Sequence, residues 1–211
     1  MAGGERVYGG LPRLERSERR RQRLLEATLD AIGEAGIKGL SLRSVCARSG
    51  LTSRYFYESF PDLDALLLAL FDSVVDEITA AALQAVATAP WDAFTRTRAG
   101  LEAGIHVVSN DHRKAKVLLV SSSGHGPLQR RRREKLVEVA DVMSHVTREF
   151  YGADTITPTD ARLTTITFAA GFIELLDEWL SGALSIPLPR VVDHMAKMFV
   201  ASATVHSVGS E

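Results

Sequence analysis

Leu40-Ser-Leu-Arg-Ser-Val-Cys-Ala-Arg-Ser-Gly-Leu-Thr-Ser-Arg-Tyr-Phe-Tyr-Glu-Ser-Phe60 is the stretch whose reading decides the fold. Ser41 can cap a first short helix, its hydroxyl accepting from an otherwise unpaired N–H at the helix start. Leu42, Val45 and Cys46 give that helix one apolar stripe. Gly50 falls where a helix C-terminus takes up a left-handed residue, a conformation glycine reaches without strain. Leu51 plugs the corner, and Thr52 caps a second helix whose Phe56 and Phe60 point inward. Ser53, Arg54, Tyr55, Tyr57 and Glu58 are left for other faces. A short helix, a Gly turn and a second helix with polar, basic and aromatic residues near its start form a helix-turn-helix, a unit suited to reading double-stranded DNA.

Outward from that unit, residues 1–16 hold four glycines, one proline and no sustained periodicity, and read as a flexible basic arm. Arg6, Arg13 and Arg16 begin there and continue into Arg19, Arg20, Arg21 and Arg23, a run that fits either phosphate contact or a solvated tail. Ser17 is placed as the cap of a first helix running to about Gly36, with Leu25, Leu29 and Ile32 on one face. Pro61-Asp62 stops one helix and starts the next, expected over Leu63 to about Ala89, with stripes Leu66, Leu70, Val74, Ile78 and Leu67, Phe71, Val75. Further helices are expected over Trp91–Ser109, His112–Ser121, Leu128–Tyr151, Pro158–Leu184 and Arg190–Ala203, parted by Pro, Gly, Asn and Asp punctuation. The class is all-α with about nine helices: residues 17–61 a DNA-binding domain, residues 62–207 a larger ligand-binding and dimerisation domain.

Composition bounds the function. Apolar residues at 45% and charged residues at 24% are globular values. The lone Cys46 excludes an internal disulfide, and its place on an apolar face makes it a small core residue rather than a sensor. No apolar run approaches the ~18 residues of a membrane span, so a cytoplasmic, non-membrane protein is expected. Residues 1–60 carry 11 Lys+Arg against 7 Asp+Glu, and the rest 14 against 19, which points the N-terminal third at a polyanion. The six histidines show no metal-like i,i+4 pair, and no nucleophile-elbow or phosphate-loop pattern occurs. No metal, cofactor or enzymatic activity is expected.

The order of the helices, together with the residues between Leu40 and Leu66, resembles the tetracycline-repressor (TetR) family of bacterial transcription regulators. Ser41-Leu-Arg-Ser-Val-Cys-Ala-Arg-Ser-Gly-Leu-Thr-Ser53 is similar to the family's second helix and turn, Arg54-Tyr-Phe-Tyr-Glu-Ser-Phe60 to its recognition helix, and Asp62-Leu-Asp-Ala-Leu66 to the entry of its fourth. The sequence departs from the family at Glu58, where a basic residue or His is common, and at Leu63, where Lys is frequent.

On this reading Ser53 and Arg54 lie nearest the base edges, with Arg54 able to pair bidentately with guanine. Tyr55 faces a thymine methyl or a phosphate, Tyr57 matches the family's phosphate-binding Tyr, and Ser41 and Arg43 hold the backbone, with Thr52 and Glu58 beside them. Glu58 either accepts from a cytosine amino group or points elsewhere. The resemblance implies a homodimer on a palindromic operator, released by an unidentified small apolar or amphipathic effector. The expected dimer stripes are Phe168, Phe172, Leu175, Leu176 and Trp179 on one helix and Val191, Val192, Met195 and Phe199 on the last, with Gly171 permitting close approach. The expected pocket is lined by Phe71, Val75, Trp91, Phe94, Ile105, Leu118, Met143 and Phe150, with Arg98, His106 or His125 as polar anchors. Arg130 to Arg133 read as a solvated helix start. The alternatives are a DNA-binding protein that is nonspecific or constitutive and senses nothing, and an all-α enzyme.

Overall fold

A computed structural model describes residues 13–122, 126–151 and 156–205. Among them the chain is all α, in nine helices: α1 (Arg13–Ala35), α2 (Leu42–Ser49), α3 (Ser53–Ser59), α4 (Leu63–Thr88), α5 (Ala93–Ser109), α6 (His112–Ser122), α7 (Gly126–Tyr151), α8 (Pro158–Leu180) and α9 (Leu188–Val205). A short 3-10 turn, Ile37–Gly39, precedes α2. Most of the arm expected over residues 1–16, including Arg6, lies outside the described residues, as does His125.

The chain divides into two compact units, Met1–Leu70 and Phe71–Glu211. The division falls inside α4, later than the Pro61-Asp62 break expected from sequence. The physical reason is that Leu66, Leu67 and Leu70 are buried, so the first turns of α4 complete the core of the first unit. Asp62 does cap α4, its Oδ1 accepting from the Ala65 N–H at 2.7 Å.

In the first unit α1, α2 and α3 pack on one another. Leu24, Leu25, Leu29, Ile32, Val45, Phe56 and Phe60 are buried, and fully buried Thr28 donates to the Leu24 carbonyl at 2.8 Å. Helix α1 starts at Arg13, so Ser17 lies inside it and is not its cap. Three arginines of α1, Arg20, Arg21 and Arg23, are held within the chain. Arg21 lies 4.4 Å from the Phe60 ring centroid, Arg23 donates to the Ser49 carbonyl at the end of α2, and Arg20 lies 4.7 Å from the centroid of Tyr55. These residues clamp the helix-turn-helix to α1; that part of the arginine run is not a free tail.

In the second unit α5 packs on α6 and α9, and α7 on α6 and α8. A Cβ on Gly100 would stand 2.8 Å from Val86 Cγ2, and one on Gly104 3.3 Å from Ile78 Cγ2, so these two glycines let α5 approach α4 closely. Helix α8 ends at Leu180, short of Leu184, because Gly182 takes a left-handed φ of 81° and the Leu184 N–H returns to the Glu178 carbonyl. Charged straps add to the packing. Arg131 reaches Asp72 at 2.7 Å and Glu138 at 3.1 Å, Lys135 reaches Asp76 at 2.8 Å, and Arg132 reaches Glu174 at 2.8 Å and Asp177 at 3.0 Å. Arg131 and Arg132 are therefore half-buried ion-pair partners rather than the solvated helix start expected of Arg130 to Arg133. Donating hydrogen bonds to the Asp72 and Glu134 carboxylates holds the Arg131 guanidinium well above its ordinary value.

Candidate nucleic-acid interface and effector cavity

The helix-turn-helix is built from strong local signals. Ser41 and Ser44 make a reciprocal capping box, the Ser44 N–H donating to Ser41 Oγ at 3.1 Å and the Ser41 N–H to Ser44 Oγ at 3.0 Å. Gly50 caps α2 with φ 63°, and a Cβ there would also meet Arg23 Nη2 at 3.1 Å. Thr52 occupies the N-cap position of α3, but its side chain makes no capping hydrogen bond. That differs from the expectation for Thr52.

Beneath α3, fully buried Phe56 sets its register; its ring lies 5.4 Å from Tyr57 and 6.2 Å from Phe60, centroid to centroid. With that side fixed inward, Ser41, Arg43, Thr52, Ser53, Arg54, Tyr55, Tyr57 and Glu58 are all exposed. Arg54 is the most accessible of the charged pair, with 85% of its side chain exposed. Glu58 points along the helix: its Oε1 accepts from Arg54 Nε at 3.1 Å, and its Oε2 lies 3.6 Å from Arg20 Nη2. Of the two orientations open from sequence, the structure shows Glu58 turned to cations of its own chain. Cys46 is partly buried, and burial pushes its thiol up, away from a reactive thiolate.

The second unit holds a partly open cavity of about 260 Å³ with an almost wholly apolar lining. Of the residues expected there, Phe71, Val75, Leu118, Met143 and Phe150 line it. The others lie elsewhere. Trp91 is 70% exposed and stacks against Phe150 with centroids 5.0 Å apart, and Phe94 is half-buried away from the cavity wall. Ile105 is solid core and His106 is exposed. Arg98 bonds Asp193 at 2.7 Å and Glu102 at 2.9 Å, fastening α5 to α9, so it anchors structure and not a ligand.

Sequence reasoning missed the groups that do give the cavity its polarity, namely Arg96, Arg132, Lys135 and Asp177. Gly100 and Gly104 were also missed; their i,i+4 spacing on α5 was the available signal. Among the described residues no cluster of three His, Cys, Asp or Glu could hold a metal. Among the described residues no helix is long and apolar enough to cross a membrane.

The stripes expected at a dimer interface are in part covered within the single chain. Phe168, Val191, Met195 and Phe199 form a buried cluster within the chain, Val192 is 1% exposed, and Phe172, Leu175 and Trp179 pack against that cluster. Leu176 lines the cavity together with Phe168, Phe172 and Phe199. A stripe covered by its own chain and one covered by a second copy have the same periodicity. Among the described residues, the large apolar side chains that α8 and α9 leave exposed are Leu163 and Met198.

A three-helix unit with an exposed reading head, followed by helices around an apolar cavity, defines a helix-turn-helix transcription regulator. The sequence profile described as "Bacterial regulatory proteins, tetR family" matches residues 24–70. The HTH-type transcriptional regulator BetI of Burkholderia thailandensis is 33% identical over 178 residues, spanning 83% of this chain and 87% of BetI. Among solved structures, the fatty acid degradation regulator FadR from Bacillus halodurans superposes with TM-score 0.71 at 15% identity, over 86% of this chain and 94% of that one. FadR from Bacillus subtilis in complex with stearoyl-CoA superposes with TM-score 0.70 at 16% identity, over 86% and 98%. The chain belongs to the tetR family. It is a DNA-binding transcription regulator and not an enzyme.

Proposed function

We propose that the chain acts in the cytoplasm as a homodimeric repressor on a palindromic operator, and that a small apolar or amphipathic molecule entering the cavity releases it. The observation that carries this reading is the presence, in one chain, of a solvent-facing reading head and an apolar cavity. The cavity is also what argues against a constitutive DNA binder that senses nothing. FadR of Bacillus subtilis, which shares the fold, is a regulator solved with stearoyl-CoA.

In the bound state Arg54 and Ser53 read base edges, Tyr55 and Tyr57 contact methyl or phosphate groups, and Ser41, Arg43 and Thr52 hold the backbone. Each reading head covers too little DNA for tight recognition, so two are placed about one helical turn (~34–36 Å) apart. The second copy packs on the faces of α8 and α9 that carry Leu163 and Met198, both exposed in the single chain. Helix α4, continuous from Leu63 to Thr88, contributes to both units and is the natural lever. An effector releases DNA only to the extent that it binds the DNA-incompetent arrangement more tightly.

The test is a binding titration of the protein on DNA flanking its own gene and on random DNA, with Arg54→Ala alongside. Arg54→Ala should lose most of the operator preference, about 1–3 kcal/mol per half-site, while random-DNA affinity stays within a few-fold. Equal losses on both DNAs would remove Arg54 as a base reader, and equal wild-type affinity for both would remove the operator itself.

A further inference from the structure

The cavity is apolar along most of its wall, but among the described residues its charged liners are not balanced: Arg96, Arg132 and Lys135 stand against Asp177. Two of the three cations are already answered. Arg132 holds Glu174 and Asp177, and Lys135 holds Asp76 and Glu138 at 2.8 and 2.9 Å.

Arg96 differs. Its guanidinium sits 4.3 Å from the Trp91 centroid and 5.4 Å from the Phe150 centroid, held by ring faces rather than by a carboxylate. Its Nη1 is buried and has no hydrogen-bond partner among the described residues. Stacking fixes the plane of a guanidinium while leaving its N–H fork unspent. A buried donor without an acceptor forfeits hydration, and that loss is recovered when an acceptor arrives.

We infer that the cavity takes an amphiphile with a single apolar tail and a carboxylate head, and that Arg96 receives the head. The inference rests on the effector reading above and gives that effector its chemistry. The tail lies along the apolar wall formed by residues such as Val75, Val86 and Leu118. The carboxylate accepts from the Arg96 fork, a charge-assisted pair strengthened by the low dielectric around it. The same arrangement rejects a cationic head. The aromatic pair that would stack on a quaternary ammonium is already occupied by Arg96, and like charge would meet like. A neutral head of equal tail length keeps the apolar contacts and loses only the charged pair.

The experiment is calorimetric titration of the full chain at pH 7 with decanoate, 1-decanol and decyltrimethylammonium, repeated on Arg96→Gln and Arg96→Lys. Wild type should bind decanoate about tenfold or more tighter than decanol, and decyltrimethylammonium weakest. Arg96→Gln should bring decanoate and decanol to parity while leaving decanol near its wild-type affinity, which also reports that the cavity is intact. Arg96→Lys should retain part of the preference, since it keeps the charge and loses the fork.

A wild-type chain that binds decanol as well as decanoate, or prefers the ammonium, overturns the head assignment while the effector reading stands. A decanoate preference that survives in both variants overturns the role of Arg96. Failure of all three compounds to bind wild type overturns the effector cavity itself. Loss of decanol binding in Arg96→Gln shifts the decision to the wild-type and Arg96→Lys titrations, which settle it by the same criteria.

Discussion

Glu58→Gln is the most informative single change in the reading head. Glu58 holds Arg54 at 3.1 Å and stands 3.6 Å from Arg20, with 39% of its own side chain and 85% of that of Arg54 exposed. An i,i+4 ion pair this exposed contributes about 0.3–0.5 kcal/mol, so the fold should not notice its loss. DNA should. Random DNA is held through phosphates, and each phosphate newly neutralised steepens the salt dependence by about 0.9 in the log–log slope. Releasing Arg54 adds one such contact per chain, hence ~1.8 for two chains. Between 50 and 200 mM salt, a fourfold range, that steepening amounts to roughly twelvefold.

Titrations on random and operator DNA at several salt concentrations, by fluorescence anisotropy, give the measurement. Glu58→Gln should bind random DNA more tightly and more salt-dependently, and the ratio of operator to random affinity should narrow because Arg54 is no longer aimed. An unchanged slope with an unchanged ratio would refute the view that Glu58 restrains Arg54.

Other outcomes follow from the packing. Gly100→Ala gains about 1 kcal/mol of helix propensity but forces a Cβ to 2.8 Å from Val86, an overpacking of about 1–3 kcal/mol, so thermal melting should fall by a few degrees. A rise in melting temperature would show that α4 yields at that point. Gly171→Ala meets nothing within 4 Å in the single chain and should stabilise it by up to about 1 kcal/mol; sedimentation that shows dissociation instead would place a second copy against Gly171. The Arg113 hydrogen bond holds the Asp111 carboxyl at about 2, below its ordinary 3.8. Because the folded value is the lower one, the stabilisation is present above pH ~4 and lost as pH falls towards 2. Asp111→Asn should therefore cost up to about 2 kcal/mol in urea denaturation at pH 7, with the difference closing at pH 2–3. A pH-independent difference would contradict the assignment.

The first unit was legible because its signals are local. A serine three residues before another serine, a glycine at φ 63° and two phenylalanines one helical turn apart each specify their own neighbourhood. The capping role given to Thr52 failed since a side chain at an N-cap position can turn away, and nothing in the sequence says which way it turns. In the second unit the sequence located helices but not their partners. Periodicity marks Phe168 and Val191 as buried without saying whether their own chain or another covers them. Five of the expected cavity residues were found because they lie on apolar stripes, whereas Arg98 and Arg96, two residues apart on α5, could not be told apart. One meets Asp193, ninety-five positions later in the chain, and the other meets Trp91 and Phe150.

The stack of Arg96 on Trp91 has a practical consequence. The chain carries two tryptophans, and they are unalike: Trp179 is half-buried with its Nε1 donating to the Ile186 carbonyl at 2.9 Å, whereas Trp91 is 70% exposed with a guanidinium on its face. Anything that draws the Arg96 head group away from that indole alters the emission of one fluorophore and spares the other. The protein is thereby equipped with a native optical probe of the Arg96 stack, readable without labels.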